Sequence, residues 1–168
     1  MINKILVAID SSPQRQSIFD TALFLARATD ASMTLLHVLS EADPDYPVFS
    51  ASAYYSALKG NDSGIVREKF DEYERREAEF LNILAKKAIA AGVKAEYAQL
   101  SGIPGRDVCE IAEVWSADLI VVGNRGFKGL KKMLAGSVSN YIAQNAPCSV
   151  LIVRSDTDSG SNSLDLSD

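Results

Sequence analysis

Short apolar runs alternate with segments of helical periodicity five times along this chain of 168 residues. The five runs span residues 4–9, 32–39, 93–100, 118–123 and 148–153. Such runs between helical segments are typical of strands that are buried on both faces, so the alternation predicts a parallel sheet covered by helices on both sides. We therefore expect an open, doubly wound α/β fold with five parallel strands.

The helical segments carry recognisable start and stop signals. Ser11, Ser12 and Pro13 predict the start of a first helix, because they offer capping oxygens and a proline suited to a first turn. Gly92 marks the expected end of a long helix over residues 65–91. Helices are also expected over 106–115 and 137–145, after a tight turn at 102–105. The apolar face predicted for the first helix comprises Ile18, Ala22, Phe24, Leu25 and Ala28.

The length and composition indicate a single domain, which we place at residues 1–154. Hydrophobic residues make up 47% of the chain, enough for a sizeable core. No apolar stretch approaches the roughly 20 residues of a membrane span, and the first ten residues resemble a core strand more than a cleavable leader. We therefore expect a cytoplasmic protein without membrane association, in which Cys109 and Cys148 are reduced.

The formal net charge of −5 is concentrated at one end of the chain. Residues 155–168 contain four Asp and no basic residue, and their Ser-rich composition predicts a disordered, acidic tail. The remaining body is close to neutral and has no basic stripe, which argues against nucleic-acid binding.

Residues 40–64 have weak periodicity and predict a long, flexible loop, a length that is unusual unless the loop has a function. Four aromatic residues lie in it: Tyr46, Phe49, Tyr54 and Tyr55. They either cover an apolar edge of the domain or fold over a bound ligand or partner.

Residues 123–139 read GNRGFKGLKKMLAGSVS, a basic, glycine-rich loop that follows the fourth predicted strand and ends where a helix begins. Glycines allow backbone N–H groups to approach an anion, and a helix start adds unsatisfied donors. In open α/β sheets, ligands bind at the carboxyl ends of the strands. If the first and fourth strands are neighbours, Asp10 meets Gly123 there. Glycines also serve purely structural turns, and the loop has neither a P-loop nor a dinucleotide fingerprint.

The spacing Gly123-x-x-Gly126, nine residues, Gly136-Ser137 resembles the ATP-binding signature of the universal stress protein family. The resemblance extends over residues 3–154. It includes a strand ending at Asp10, the segment Leu36-His37-Val38, the turn Gly102-Ile103-Pro104 and a last strand after Ala146-Pro147-Cys148. It implies a Rossmann-like sheet of the adenine nucleotide alpha hydrolase type, with strand order 3-2-1-4-5 and ATP lying over strands 1 and 4.

The family's binding residues transfer to particular positions of this sequence. Phosphates and part of the ribose would be held by Gly123, Gly126, Gly136, Ser137, Val138 and Ser139. Adenine and ribose would lie against Ala8, Ile9, Asp10 and Val38. Arg125 and Lys128 either screen the phosphates or form a solvated face. Asp10 is either a helix cap or a ligand to ribose or, through water, to phosphate-bound Mg²⁺; both roles can coexist.

Several residues bear on whether the nucleotide is hydrolysed. Family members often carry a histidine in the first glycine turn, where this chain has Asn124-Arg125, so assisted hydrolysis is not expected. His37, the only histidine, and Trp115 are interpreted as core residues. We expect no Ser/His/Asp or Cys/His catalytic constellation and no metal-ligand cluster.

The resemblance implies an ATP-binding stress-response or signalling module, a homodimer formed through the strand at 149–153, acting with partners that remain unknown. The alternative is a slow Mg²⁺-dependent ATPase or a phosphotransferase or autokinase that uses Ser137 or Ser139. A third possibility is an interaction domain that binds no nucleotide. ADP or AMP could replace ATP as the ligand.

Overall fold

The computed structural model describes residues 1–41, 43–60, 63–124 and 138–154. Its elements follow one another as β1 (Lys4–Ala8), α1 (Arg15–Thr29), β2 (Ser32–Leu39), α2 (Ala51–Leu58), α3 (Ser63–Ala90), β3 (Ala95–Ser101), α4 (Pro104–Trp115), β4 (Leu119–Gly123), α5 (Val138–Asn145) and β5 (Ser149–Val153). The predicted tail at 155–168 lies outside the described residues.

The five strands form one parallel sheet in the order β3-β2-β1-β4-β5, which confirms the predicted fold and strand order. Ile5, Leu6 and Val7 of β1 are completely buried at the centre of this sheet. A strand covered on both faces needs apolar residues at every position, and this explains why the strands appear in the sequence as continuous apolar runs.

Alternate residues of each strand enter two separate cores. Ile5, Val7 and Leu35 pack with buried residues of α1 and α3 on one face of the sheet. Leu6 and Leu36 pack with residues of α4 and α5 on the other face. The two faces therefore belong to different helix pairs, as a doubly wound sheet requires.

The helix α1 differs from its prediction in both its start and its buried face. It begins at Arg15, two residues after Pro13, and no side chain among the described residues caps it. Its buried residues include Phe19, which is 1% exposed, whereas Phe24 is 70% exposed. The assignments of Phe24 and Ala28 to the apolar face were wrong, and Ala28 is likewise exposed. The side of α1 that packs on the sheet instead carries Ile18, Ala22 and Ala26, which recur every four residues.

Two connections also differ from the predictions. The expected loop at 40–64 contains α2, which contacts α3, and α3 begins within the same range. The expected turn at 102–105 is half helical, because Pro104 and Gly105 form the first turn of α4. Proline suits this position since its missing N–H would have no partner there. At the end of α3, Gly92 has φ +87°, which confirms it as the helix stop.

The contact between α4 and α5 depends on the absence of a side chain at Gly105. A Cβ there would lie 2.9 Å from Cδ1 and 3.0 Å from Cγ of Tyr141 in α5. We expect Gly105→Ala to lower the free energy of unfolding by about 1–3 kcal/mol through overpacking, measured by urea denaturation. In the control Gly64→Ala in α3, a Cβ meets nothing within 4 Å, so stability should not fall. Equal losses in both variants would contradict this packing.

Candidate functional site

The carboxyl ends of three neighbouring strands meet at one edge of the sheet. Ala8, the last residue of β1, pairs with Leu36 of β2 on one side and with Val122 of β4 on the other. The Ile9 amide continues the pairing with a hydrogen bond of 2.9 Å to the Leu36 carbonyl. From this edge the chain leaves β1 towards β2 and leaves β4 towards β5, so β1 and β4 flank the switch point at which open α/β sheets form a ligand crevice.

The predicted apolar wall divides between the two faces of the sheet. Ala8 and Val38 pack with the core on the α4 and α5 side. Ile9 is 4% exposed and belongs to the opposite core, under α1 and α3. A ligand on the α4 and α5 side of the crevice would therefore meet the side chains of Ala8 and Val38 but only the backbone of Ile9.

Asp10 begins the turn that leads from β1 to α1. Its Oδ1 accepts a hydrogen bond of 3.0 Å from the Ser12 amide, and the residue is half-buried. The sequence offered a helix-cap role, but α1 begins only at Arg15, so this carboxylate stabilises the turn and does not cap the helix. In the same turn, the Ser12 Oγ is buried and has no hydrogen-bond partner among the described residues.

Gly123 lies at the end of β4, where a Cβ would be 2.5 Å from Cδ1 of Ile18 and 3.3 Å from Oε1 of Gln14. The start of α1 therefore packs directly against this position. A larger residue here would have to displace the ends of the Ile18 and Gln14 side chains, so glycine favours the close approach of the helix with or without a ligand.

The second half of the predicted cradle is described only in part. Val138 and Ser139 form the first turn of α5, and Ser139 is 8% exposed. The remaining predicted residues of this loop lie outside the described residues: Arg125, Gly126, Lys128, Gly136 and Ser137.

A buried polar cluster, which we call the Asp43 cluster, lies beside Asp10 and was not predicted. It consists of Ser11, His37 and Asp43. Nε2 of His37 is 2.6 Å from Asp43 Oδ2, while the Ser11 hydroxyl donates to Oδ1. The Ser11 amide also donates to Oδ2 at 3.2 Å. His37 is 1% and Asp43 6% exposed, so the interpretation of His37 as a hydrogen-bonded core residue is confirmed.

The Asp43 cluster corrects the expectation that Ser, His and Asp would not come together. The order of contacts, however, differs from that of a catalytic triad. In a triad the imidazole lies between the hydroxyl and the carboxylate and takes the hydroxyl proton. Here the carboxylate lies in the middle and bonds both Ser11 and His37, so His37 is not placed to activate Ser11.

Burial and hydrogen bonds act in opposite directions on Asp43. Burial raises the pKa of its carboxyl group, but hydrogen bonds from His37, Ser11 and the Asp45 amide outweigh burial and lower this pKa to about 2. Asp43 is therefore a carboxylate at all ordinary pH values, and hydrogen-bond donors from three segments stabilise its negative charge.

Separate ion pairs near the Asp43 cluster join α1, α3 and Asp45. Glu77 of α3 is 2% exposed and lies 3.2 Å from Arg15 and 3.1 Å from Arg76. Arg76 also reaches Asp45 at 3.1 Å. Burial and the nearby carboxylates of Asp43 and Glu77 raise the pKa of Tyr73, which stays a neutral phenol.

The aromatic residues of the segment after β2 pack mainly on α3. The Tyr46 ring is 5.4 Å from that of Phe70 and 5.9 Å from that of Tyr73, and Phe49 is 5.5 Å from Phe70. For Tyr46 and Phe49, the first interpretation, cover of an apolar edge, is confirmed. Tyr55 is 58% exposed and contacts Lys59; the side chain of Tyr54 is not described.

Other predicted positions lie away from the crevice. Trp115 packs against the core under α4, where Lys4 contacts its ring and its carbonyl oxygen. Cys109 and Cys148 are free thiols, and burial raises the pKa of both. Within the described ranges, no group of three His, Cys, Asp or Glu residues could hold a metal ion, and no helix is long and apolar enough to cross a membrane.

The Asp43 cluster predicts an acid-dependent loss of stability. The pKa of Asp43 is lower in the folded state than in the unfolded state, so its contribution is complete above about pH 4 and is lost as the pH falls to about 2. Between pH 5 and pH 2, the free energy of unfolding should fall by about 2 kcal/mol more in the wild type than in Asp43→Asn. Urea denaturation at each pH measures this difference. Asp20→Asn, at an exposed carboxylate of α1, should follow the wild type; a wild-type profile in Asp43→Asn would contradict the assignment.

Comparison with known proteins identifies relatives along nearly the whole chain. The family model described as the universal stress protein family matches residues 1–154. A universal stress protein of Bacillus subtilis is 35% identical over 154 residues, which cover 92% of this chain and 100% of the relative. One of Synechocystis is 31% identical over 151 residues, covering 90% of this chain and 97% of the relative.

Solved structures agree in fold. A universal stress protein family protein from Arabidopsis thaliana, described with AMP bound, has a TM-score of 0.61 at 20% identity and covers 96% of this chain and 97% of its own. The Archaeoglobus fulgidus universal stress protein, described in complex with dAMP, has a TM-score of 0.55 at 20% identity, with coverages of 90% and 98%. With the family model and the relatives, these findings establish that the chain belongs to the universal stress protein family.

Proposed function

We propose that the chain binds an adenine nucleotide, with ATP and Mg²⁺ as the first candidate, in the crevice between β1 and β4. The observation that carries the proposal is the meeting of Asp10, Ala8, Val38 and Gly123 at the carboxyl edge of the sheet. Open α/β sheets bind ligands at such a switch point, where apolar walls can receive a base and polar groups a ribose. Relatives of this fold described with AMP and dAMP support the choice of ligand.

The phosphates would lie at the glycine loop and the start of α5. The N–H groups of a first helical turn carry partial positive charge and suit an anion. Val138 and Ser139 form that turn, and Ser139 brings a hydroxyl. Gly123, Arg125, Gly126, Gly136 and Ser137 complete the proposed cradle from the chain segment before α5.

Asp10 suits a Mg²⁺ ion that arrives with the phosphates. Mg²⁺ keeps several waters and needs only one or two protein carboxylates when phosphates supply other oxygens. Asp10 is half-buried at the edge of the crevice, and the unsatisfied Ser12 hydroxyl lies two residues further on. The ion would neutralise phosphate charge, and Asp10 would either bind it through a water molecule or accept a hydrogen bond from the ribose.

The arrangement favours holding the nucleotide over hydrolysing it. Attack by water or a hydroxyl on a phosphate needs a group that orients the nucleophile. The single histidine, His37, is buried and its Nε2 lies within hydrogen-bond distance of Asp43. We therefore propose a cytoplasmic nucleotide-binding module for stress response or signalling, whose nucleotide state is read by a partner.

The edge strand β5 is the proposed dimer interface. It pairs with β4 on one side only, and Ile152 is 38% exposed. An apolar edge strand has unsatisfied backbone groups along its open side, and an isologous contact with a second copy would satisfy them.

Calorimetry with ATP and Mg²⁺ tests the binding proposal. We expect a dissociation constant below 1 mM, which corresponds to about −4 kcal/mol or stronger. Gly126→Val and Gly136→Val should abolish the heat, because a side chain would block the approach of backbone N–H groups to phosphate. Gly64→Val, at a glycine of α3 with open space around it, is the matched control and should bind as the wild type does. Absence of heat from the wild type would contradict nucleotide binding; unchanged affinity in both loop variants would exclude the loop as the cradle.

Light scattering after size-exclusion chromatography tests the dimer. We expect the wild type to elute at twice the chain mass and Ile152→Asp to shift towards the monomer, since two like charges would face each other across the two-fold axis. Phe24→Asp removes a more exposed apolar residue from α1 and should remain dimeric. A dimeric Ile152→Asp, or a monomeric wild type, would contradict an interface at β5.

A further inference from the structure

Asp43 joins three segments, one of which, the turn after β1, is 32 positions away in sequence. It lies in the segment after β2, bonds His37 within β2, and bonds both the amide and the hydroxyl of Ser11 in the turn after β1. The Asp45 amide adds a further hydrogen bond of 3.2 Å to Asp43 Oδ1. Donors from all three segments thus converge on one buried carboxylate.

The turn after β1 is fixed by two carboxylates acting on successive amides. Asp43 Oδ2 accepts the Ser11 amide at 3.2 Å, and Asp10 Oδ1 accepts the Ser12 amide at 3.0 Å. The two peptide planes that follow Asp10 are therefore each held by a different carboxylate. Rotation of the first plane would break the Asp43 contact, and it would also turn the backbone that carries Asp10.

We propose that Asp43 is a positioning residue for the nucleotide site, holding the turn after β1 so that Asp10 faces the ligand. This inference rests on the proposed function, since it assigns to Asp43 the regulation of the same site. Asp43 acts through Ser11 and the turn.

The cluster fixes the geometry of its donors in addition to the stability that it contributes. A buried carboxylate that accepts several hydrogen bonds imposes a single geometry on its donors, because each donor left without it would be buried and unsatisfied. Ser11 is half-buried and contributes little apolar packing. What the bonds to Ser11 fix is the direction of the backbone beside Asp10, and pre-set polar groups bind a ligand more tightly because less ordering remains to be done.

The position of Asp43 in turn depends on the segment after β2. Tyr46 anchors that segment on Phe70 and Tyr73 of α3, and Asp45 reaches Arg76. A partner or modification that displaced this segment would withdraw Asp43 from Ser11 and weaken nucleotide binding. The cluster therefore links an accessible surface segment to the crevice between β1 and β4.

A double-mutant cycle on ATP affinity tests the inference, with the variants Asp43→Asn, Asp10→Asn and the combination measured by calorimetry with Mg²⁺. Asp43→Asn keeps the size of the side chain but replaces one acceptor oxygen with an N–H₂ group. We expect it to raise the dissociation constant for ATP about tenfold in the wild-type background. In the Asp10→Asn background the rise should be less than twofold, because the effect of Asp43 on binding depends on Asp10. Asp45→Asn, in the same segment but half-exposed, should change affinity less than twofold.

Hydrogen exchange on the nucleotide-free protein separates positioning from loss of fold. Asp43→Asn should speed exchange at the Ser11 and Ser12 amides at least tenfold while amides within β1 and β4 exchange as in the wild type. If Asp43→Asn does not fold, Ser11→Ala removes the hydroxyl's bonds to Asp43 and to the Asp45 amide but keeps the bond from the Ser11 amide to Asp43. It should raise the dissociation constant for ATP about threefold, again only when Asp10 is present.

The outcomes distinguish this inference from the proposed function. Failure of the wild type to bind ATP, ADP or AMP overturns both. Binding by the wild type with unchanged affinity in Asp43→Asn, or an equal loss in the presence and absence of the Asp10 carboxylate, overturns only the positioning role of Asp43.

Discussion

The central strand β1 is the constraint on which the rest of the structure depends. It pairs in parallel with β2 on one side and β4 on the other, and three successive residues, Ile5, Leu6 and Val7, are completely buried between the two helical layers. In a parallel sheet, the carboxyl ends of neighbouring strands lie at the same edge. This fixed register brings Asp10 beside Gly123 although more than a hundred residues separate them.

The chemistry of that edge is divided between two carboxylates with different roles. Asp10 is half-buried at the crevice and is suited to contact a ligand, whereas Asp43 is buried and saturated with donors. His37, the only histidine in the chain, is hydrogen-bonded to Asp43 and not to Asp10. The polar groups thus stabilise the backbone conformation around the crevice, which is consistent with the proposal of a protein that holds a nucleotide for a partner to recognise.

Strands and helix ends could be predicted from the sequence because their signals are local. Buried parallel strands require unbroken apolar runs, and the left-handed backbone at Gly92 requires glycine. Phe24 was assigned wrongly because the apolar stretch of α1 covers more than one face, and only packing against the sheet selects Phe19. The short helix α2 was missed for a related reason: it packs on α3, and its own periodicity is weak.

The Asp43 cluster could not be predicted because it depends on contacts between distant residues. Ser11 and Asp43 are 32 positions apart, and nothing in the spacing of polar residues distinguishes Asp43 from Asp45, which is exposed and paired with Arg76. For the crevice, the family resemblance implied Ala8, Ile9, Asp10 and Val38 as one group, and the sheet brings them to one edge. It did not reveal that Ile9 and Val38 belong to opposite cores, since that follows from which face each residue occupies.

Amide chemical-shift mapping by NMR during titration with ATP and Mg²⁺ tests the location of the site most directly. The account predicts the largest changes at the carboxyl edge, at Ile9, Asp10, Val38, Gly123 and Ser139. It predicts no change at the opposite edge, where Asp118 accepts hydrogen bonds from the Asn3 and Lys4 amides. Changes centred on that opposite edge, or the absence of changes at saturating nucleotide, would contradict the crevice between β1 and β4 as the binding site.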